Sequence, residues 1–549
     1  MSNSNLISEF LKWEQQSPDR IFFRQPVNSE WKTWTYKQAG DEIRRMANAL
    51  QALPIAPKSA IAILSKNCAH WIMADLAIIM GGFVSVPLYA NSSAASIKQI
   101  LEHSETKAIF VGKLDDYLEQ KKGIHESVIT ISSSFYGLNE GLSWEELISK
   151  NKALINYVHR PAQELFTIMY TSGTTGVPKG VMFHSAAFDH TTKILIKYLK
   201  TLEKIPDNPQ LFSYLPLCHI AERNLTEMLA CYSGATISFV ESLDTFAHDL
   251  ASVQPDLFFG VPRIWAKFQE KILEKMPQKK LNTLLKIPII STIVKKSIIK
   301  KLGLAKAGLK GSGAAPIPVS LLKWYDKLGI RVREIYGMTE NCALSHANQE
   351  IRFGTVGKAM ESVEVKFLED GEILTRHVAL MMGYFKEPQL TAEVMTADGY
   401  LRTGDKGKLD ADGFLTITGR VKDLFKTDKG KYISPAPIEM KLLHNTDIEQ
   451  VCVVGMGIPQ PIALIVLSAI GKTKAKNEII KSLSDSIAEV NPTIEHYEHI
   501  KKAVIMKKDW SINNGMMTPT LKVKRNEVEK IQMPNYPIWY AQEGMVVWE

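Results

Sequence analysis

Residues 170–180 gather four aliphatic hydroxyls, three glycines and a lysine into eleven positions: Tyr170-Thr171-Ser172-Gly173-Thr174-Thr175-Gly176-Val177-Pro178-Lys179-Gly180. Glycine lets backbone N–H groups approach an anion, hydroxyls donate to phosphate oxygens, and Lys179 adds a mobile positive charge. The chemistry this predicts is the holding of a phosphate chain. The spacing is not that of a Walker A loop, which needs GxxxxGK[ST]. TSG or TTG alone would be an ordinary polar turn; their combination is too dense for that reading.

Other candidates are weaker one by one. Glu334-Ile335-Tyr336-Gly337-Met338-Thr339-Glu340 sets an aromatic ring, a hydroxyl and a carboxylate just after an apolar strand. A single carboxylate suits Mg²⁺, a hard ion that combines one or two protein carboxylates with phosphate oxygens. The same run could be a strand end with a helix cap, and Asp405 in YLRTGD could be a hairpin-turn aspartate. His219, in SYLPLCHIAERN, follows an apolar strand; a lone histidine is more often a satisfied core or surface residue. Nothing in the sequence around Cys218 would depress its pKa, so it reads as packing. Lys310–Pro316, KGSGAAP, has Pro316 where a dinucleotide fingerprint needs its third glycine, and reads as a tight strand-to-helix turn.

These residues need a scaffold. Short apolar runs recur at Ala60–Leu64, Ala108–Val111, Leu165–Tyr170, Thr236–Val240, Leu257–Val261 and Arg333–Gly337, with longer amphipathic stretches such as Tyr36–Leu53 between some of them. Alternating strands and helices predict an α/β architecture whose functional loops lie beyond the carboxyl ends of strands. Leu76–Tyr89 is uncharged but too short to span a bilayer, and reads as buried core. Tyr400–Thr403, Gly407–Leu409 and Phe414–Thr418 read as short strands, the last two joined by an Asp412-Gly413 turn. LIVLSAIG predicts a buried strand and Ile479–Val490 a helix. A boundary near Lys422 divides the chain into a large region, 1–421, and a smaller one, 422–549.

The 549 residues, 45% hydrophobic and 23% charged, exclude a disordered chain, a collagen and a small disulfide scaffold. Five scattered cysteines, with no CxxC pair, fit a reducing compartment. The start MSNSNLISEF lacks a basic stretch followed by an apolar core, so no signal peptide is expected and the location read from the sequence is cytoplasmic. The net charge of +8 is local: residues 271–310 hold eleven lysines, one Glu (Glu274), and neither Arg nor Asp. That segment carries +10, and the rest of the chain about −2. Its interleaved aliphatics and lysines match either a solvated helical face over core or a surface that lies on an anionic membrane, which would make the protein peripheral on a membrane's inner face. No aromatic and basic platform points to nucleic acid. The aromatic tail PNYPIWYAQEGMVVWE could dock on the main body or on a partner.

YTSGTTGVPKG closely resembles the phosphate-binding loop of adenylate-forming enzymes: acyl-CoA ligases, peptide-synthetase adenylation domains and luciferases. The family's other motifs follow in order, so the resemblance covers roughly Thr33 to Arg525. LPLCHIAERN and KGKYISPAPIE look most like long-chain fatty-acid–CoA ligases. The resemblance implies a large, multi-subdomain adenylation domain with a small, mobile α+β C-terminal domain. It implies that Thr171, Ser172, Gly173, Thr174, Thr175, Gly176 and Lys179 hold the phosphates of ATP. Gly313, Ala314 and Ala315 would lie against the adenine, with Tyr336 and Gly337. Thr339 would bond the α-phosphate and Glu340 would hold Mg²⁺. Asp405 would accept the ribose hydroxyls, with Arg420 as a ribose or phosphate contact. His219 would orient the substrate carboxylate, and Gly430 would line the pantetheine route of CoA. Lys422 matches the family's hinge, where aspartate is the more frequent residue. Lys522, in MTPTLKVKR, matches the adenylation lysine; Lys524 is its competitor.

The reaction implied has two steps. A carboxylate attacks the α-phosphorus of ATP and expels pyrophosphate; rotation about Lys422 then withdraws Lys522 and admits CoA, whose thiolate gives a thioester and AMP. A medium- or long-chain fatty acid is the substrate the sub-patterns imply. Rival readings are transfer to an acyl carrier protein, ring closure of a β-hydroxy acid, and a catalytically inactive membrane-binding protein.

Overall fold

The computed structural model describes residues 5–172, 178–202, 204–512, 514–518 and 522–549. Its largest sheet has eight strands in the order Gly383–Tyr384, Pro178–His184, Leu165–Ser172, Val84–Leu88, Ala60–Leu64, Ala108–Val111, Ile129–Ser132, Leu142–Ser143. The six strands from Leu165–Ser172 to Leu142–Ser143 pair in parallel. Ala60–Leu64 and Val84–Leu88 are buried at every position, as strands covered on both faces must be. One of the covering helices, Ala69–Met80, is itself buried at all its residues. Tyr36–Gln51 is started by a capping box in which Thr35 and Gln38 satisfy each other's backbone N–H.

Two further sheets complete the α/β body. One orders Gln210–Ser213, Thr236–Phe239, Ile21–Val27 and Glu30–Thr35; the other orders Leu257–Gly260, Leu309–Ser312, Arg333–Tyr336, His346–Ala347 and Lys358–Ala359. A fourth, antiparallel sheet holds Glu364–Phe367, Glu372–Arg376, Leu401–Leu409 and Leu415–Arg420. Here the structure departs from the sequence reading. The expected strands Tyr400–Thr403 and Gly407–Leu409 are one strand, because Gly404 adopts φ +70° and a bulge at Lys406 and Gly407 lets pairing resume. Gly413, at φ +82°, closes the Asp412-Gly413 turn.

From Phe425 onward the chain builds its own core. Two of the five hydrophobic clusters draw every buried residue from that stretch. They pack on both faces of a sheet ordered Ile448–Val454, Ile462–Leu467, Lys502–Ile505, Val546–Trp548. The aromatic tail supplies that last strand, which runs parallel to Lys502–Ile505, and Tyr536 and Trp539 are buried behind it. The tail thus docks on its own domain. Among the described residues no helix is long and apolar enough to cross a membrane. All five cysteines are buried free thiols.

Candidate active site

The phosphate-loop candidate is flanked by two paired strands. Leu165–Ser172 and Pro178–His184 pair antiparallel, with Thr171 opposite Lys179 and Ser172 opposite Pro178. Gly173, Thr174, Thr175 and Gly176 lie outside the described residues. Lys179 therefore projects from a strand rather than a loop, and its Nζ stands 5.4 Å from the centroid of the Tyr384 ring. Such a contact suits a cation held beside an aromatic face. Tyr384 reaches this place because Gly383–Tyr384 pairs with Val181 and Met182 of the same strand.

Tyr384 also joins that strand to the metal candidate. Its hydroxyl donates to Glu340 Oε1 at 2.9 Å. Burial and then Glu340 push the phenol pKa up, so Tyr384 stays a donor. Glu340 lies in a 3₁₀ turn, Thr339–Asn341, directly after the strand Arg333–Tyr336. Among the described residues no group of three or more His, Cys, Asp or Glu could enclose a metal. A lone carboxylate with an oxygen left over fits Mg²⁺ that is carried mainly by substrate phosphates. Thr339 is half-buried at the start of the turn.

Asp405 is 9% exposed and fixed from two sides. The Tyr336 hydroxyl donates to its Oδ2 at 2.8 Å, and Arg420 Nε donates to its Oδ1 at 2.7 Å. Asp405 and Arg420 are cross-strand partners in the antiparallel sheet, which sets their distance. Each carboxylate oxygen retains lone-pair capacity for a further donor, such as a sugar hydroxyl. Asp405 raises the Arg420 pKa, so the guanidinium remains charged.

Gly313, Ala314 and Ala315 follow the strand Leu309–Ser312, beside the strand that carries Tyr336. A Cβ on Gly313 would lie 2.6 Å from the Ile335 carbonyl oxygen and 2.9 Å from Phe259 Cζ. Ala314 adopts φ +64°, a conformation that disfavours any side chain. Gly337 is equally tight: its Cβ would meet the backbone of Ala343 at 2.7 Å.

His219 opens a short helical turn and caps it, its Nδ1 accepting the Ala221 N–H at 3.3 Å. Burial, and then the charge of Lys522, lower its pKa to about 4. The ring is neutral near pH 7, and with Nδ1 accepting, its proton sits on Nε2 as a donor. The chain continues as a π-helical turn, Arg223–Met228, a feature frequent at functional sites. Arg223 anchors it with no solvent exposure. Its guanidinium is paired with Asp75, with Glu227 at 3.1 Å and with the Thr167 hydroxyl at 2.7 Å. Burial, with Asp75 next, raises the Glu227 pKa strongly. Burial raises the Cys218 thiol too, in keeping with a packing role.

Lys522 comes from the small domain. It sits on a hairpin held by Thr518 N–H to Lys522 O at 2.8 Å and by the bridge between Met517 and Val523. Its pKa is lowered first by desolvation and next by Arg420, against the opposing effects of Asp405 and Glu340. Lys522 is exposed to water as a whole, which limits the size of that shift. Lys522 is thus within electrostatic range of His219, Arg420, Asp405 and Glu340 together. Lys524 instead flanks the start of the helix Arg525–Gln532. Gly430 does not join the cluster; at φ +74° it turns the exposed hairpin between Phe425–Lys426 and Tyr432–Ile433.

Sequence reasoning missed Tyr384 and Arg223. Nothing about an isolated tyrosine in MMGYF marks it, but the i,i+4 spacing of Arg223 and Glu227, just before the apolar run Met228–Cys231, was a usable signal.

A large α/β body is thus followed by a small C-terminal domain that brings Lys522 within electrostatic range of Glu340 and Asp405. The chain belongs to the AMP-binding enzyme family, whose pattern matches residues 10–385, with the family's C-terminal domain at 422–531. It is 27% identical to a long-chain-fatty-acid–CoA ligase, FadD15, of Mycobacterium bovis, across 96% of this chain and 95% of that protein. It is 28% identical to the long-chain-fatty-acid–CoA ligase ACSBG2 of Xenopus laevis, across 96% and 82%. Its fold is shared with the adenylation domain of a carboxylate reductase from Mycobacterium chelonae, with a TM-score of 0.83, 20% identity, and coverage of 99% and 92%. The chain is a ligase of the adenylate-forming superfamily.

Proposed function

We propose that the enzyme activates a medium- or long-chain fatty acid with ATP through an acyl-adenylate and then forms its thioester with CoA, releasing pyrophosphate and AMP. The observation that carries the reading is Lys522, a small-domain residue, within electrostatic range of His219, Arg420, Asp405 and Glu340. Two anions must meet in the first step, so the site needs positive charge and aligned donors more than a base.

In this reading the run from Thr171 to Lys179 holds the departing phosphates, and Asp405 the ribose. Gly313, Ala314, Ala315, Tyr336 and Gly337 line the adenine, and Thr339 bonds the α-phosphate. Glu340 is the residue that would hold Mg²⁺, which supplies charge neutralisation on the phosphates. Lys522 bridges the carboxylate and the α-phosphate, while the Nε2–H of His219 orients the carboxylate. The division between domains is at Lys422, an exposed residue in the turn Val421–Asp423 directly after Arg420. Rotation there removes Lys522 and swings Gly430 toward the cleft for the pantetheine of CoA.

Fatty acid as substrate and CoA as acceptor are supported by the names of the relatives across nearly the whole chain. The test is pyrophosphate exchange over a series of fatty-acid chain lengths, followed by the mass of the product with CoA or with acyl carrier protein. Exchange with no fatty acid would reject the lipid substrate, and product only on the carrier would reject CoA.

A further inference from the structure

The helix Pro288–Lys301 carries branched aliphatics on two sides. On one, Ile298 is buried, and Val294 and Ile299 pack against the cluster holding Trp265, Phe268 and Leu281. On the other, Ile289 is 77% exposed and Ile293 62%, with Ile287 and Ile290 at 44% and 37%. Ile289 and Ile293 are i,i+4 neighbours and Ile290 stands three before Ile293, so these side chains form a patch and are not scattered. A helix on a globular surface needs one apolar stripe facing the core. This one has a second stripe with no protein partner among the described residues. Pro277 and Pro288 break the region into the helices Pro262–Lys275, Gln278–Leu285 and Pro288–Lys301, so Ile287 and Ile289 lie at an elbow.

The charge around the elbow is of one sign. Of the eleven lysines from Lys271 to Lys310, the only ion pair formed among the described residues is Lys271 with Glu274, at 3.1 Å. Lys279, Lys280, Lys286, Lys296, Lys300 and Lys301 are exposed. Exposed isoleucines inside uncompensated lysines demand a partner that is anionic on its surface and apolar beneath. The segment contains no Arg, Phe, Tyr or Trp. It lacks the stacking rings and guanidinium forks with which proteins hold nucleic acid, whereas lysine stems can lie along apolar matter and keep their ammonium groups in a polar layer.

We propose that this elbow docks the enzyme on an anionic lipid bilayer. Ile287, Ile289, Ile290 and Ile293 enter the acyl region of the leaflet, and the surrounding lysines lie among its headgroups. The proposal stands on this surface alone and holds whichever acid the enzyme activates. The test uses the full chain sedimented with vesicles of phosphatidylcholine alone or mixed with phosphatidylglycerol. Binding to the anionic vesicles is expected, weakening as salt rises. I289S/I293S should reduce it at least about tenfold by removing apolar burial. K295S/K296S should reduce it and flatten the salt dependence. Pyrophosphate exchange with a soluble short-chain acid should be unchanged in both variants, which reports an intact fold separately from membrane binding. The proposal is overturned if the wild-type chain sediments with neither vesicle, if I289S/I293S binds as well as wild type, or if a nucleic-acid duplex is bound in place of the vesicles.

Discussion

Arg263 of the large domain is ion-paired through Nη2 with Glu449 Oε1 of the small domain. Arg263 is the second residue of the helix Pro262–Lys275 and Glu449 lies on the strand Ile448–Val454, so the pair ties a helix of the large domain to a strand of the small one. Among the described residues it is the sole ion pair joining residues before Lys422 to residues after it. With Arg263 about a third exposed, it contributes about 1 kcal/mol at most.

Arg263→Ala or Glu449→Ala should therefore slow pyrophosphate exchange by roughly twofold to fivefold. The same substitutions should leave thioester formation from supplied acyl-adenylate unslowed, since the proposed reaction has the domains rotate before that step. The double variant should be no worse than either single one. Slowing of both half-reactions alike would mean that the pair serves folding and not the arrangement of the domains.

Lys522→Ala should lower exchange by roughly 10²–10³-fold, the usual effect of removing a charged donor from the centre of such a site. Thioester formation from acyl-adenylate and CoA should survive. Lys524→Ala should do little to either step, because that residue flanks the helix Arg525–Gln532. Equal loss of both half-reactions on removing Lys522 would reject its role.

The depressed pKa of Lys522 has a sign that can be measured. In the proposed reaction exchange requires the ammonium, so its alkaline limb should fall at a pH below the ordinary lysine value of about 10.4. Lys522→Arg should move that limb up, at a reduced rate. His219, lowered to about 4, should contribute no limb between pH 5 and 8. Removing the Lys522 charge takes away the second of two causes, so the His219 resonance in Lys522→Ala should titrate higher. For stability, the unfolded chain binds the His219 proton more readily than the folded one. The His219 contribution is therefore complete above its unfolded pKa of about 6.5 and is lost as pH falls toward 4.

The sequence is most readable where both faces of a strand are buried. Ala60–Leu64 and Ala108–Val111 are uninterrupted apolar runs, and the strands begin and end where the runs do. The phosphate candidates stand out in the sequence because hydroxyls and glycines rarely cluster so densely, and Gly173, Thr174, Thr175 and Gly176 lie outside the described residues. Pairing partners were not. Pro178-Lys179-Gly180 reads as loop, yet it is a strand because Thr171 pairs back across it. The tail Val546–Trp548 gave no hint that it completes a sheet whose other strands lie far earlier in the chain. Lys522 and Lys524 were indistinguishable by type; the hairpin that separates them depends on contacts with Met516 and Thr518.

Gly313 and Ala314 offer opposite substitutions in one loop. At Gly313 an added methyl would stand 2.6 Å from a backbone carbonyl oxygen of Ile335, the strand that leads to Tyr336. A backbone atom cannot rotate away, so the loop or the strand must shift. Gly313→Ala should cost about 1–3 kcal/mol of stability and raise the KM for ATP at least about tenfold. Ala314 already has its methyl, at φ +64°. Ala314→Gly should relieve about 1 kcal/mol of backbone strain in the folded state, partly offset by the greater freedom of glycine in the unfolded chain. If the strain serves to hold the loop against the base, Ala314→Gly will leave the thermal midpoint equal or higher while ATP binds more weakly. Thermal unfolding and ATP titration of the two variants separate these effects. Unaltered ATP binding in both would remove this loop from the nucleotide site.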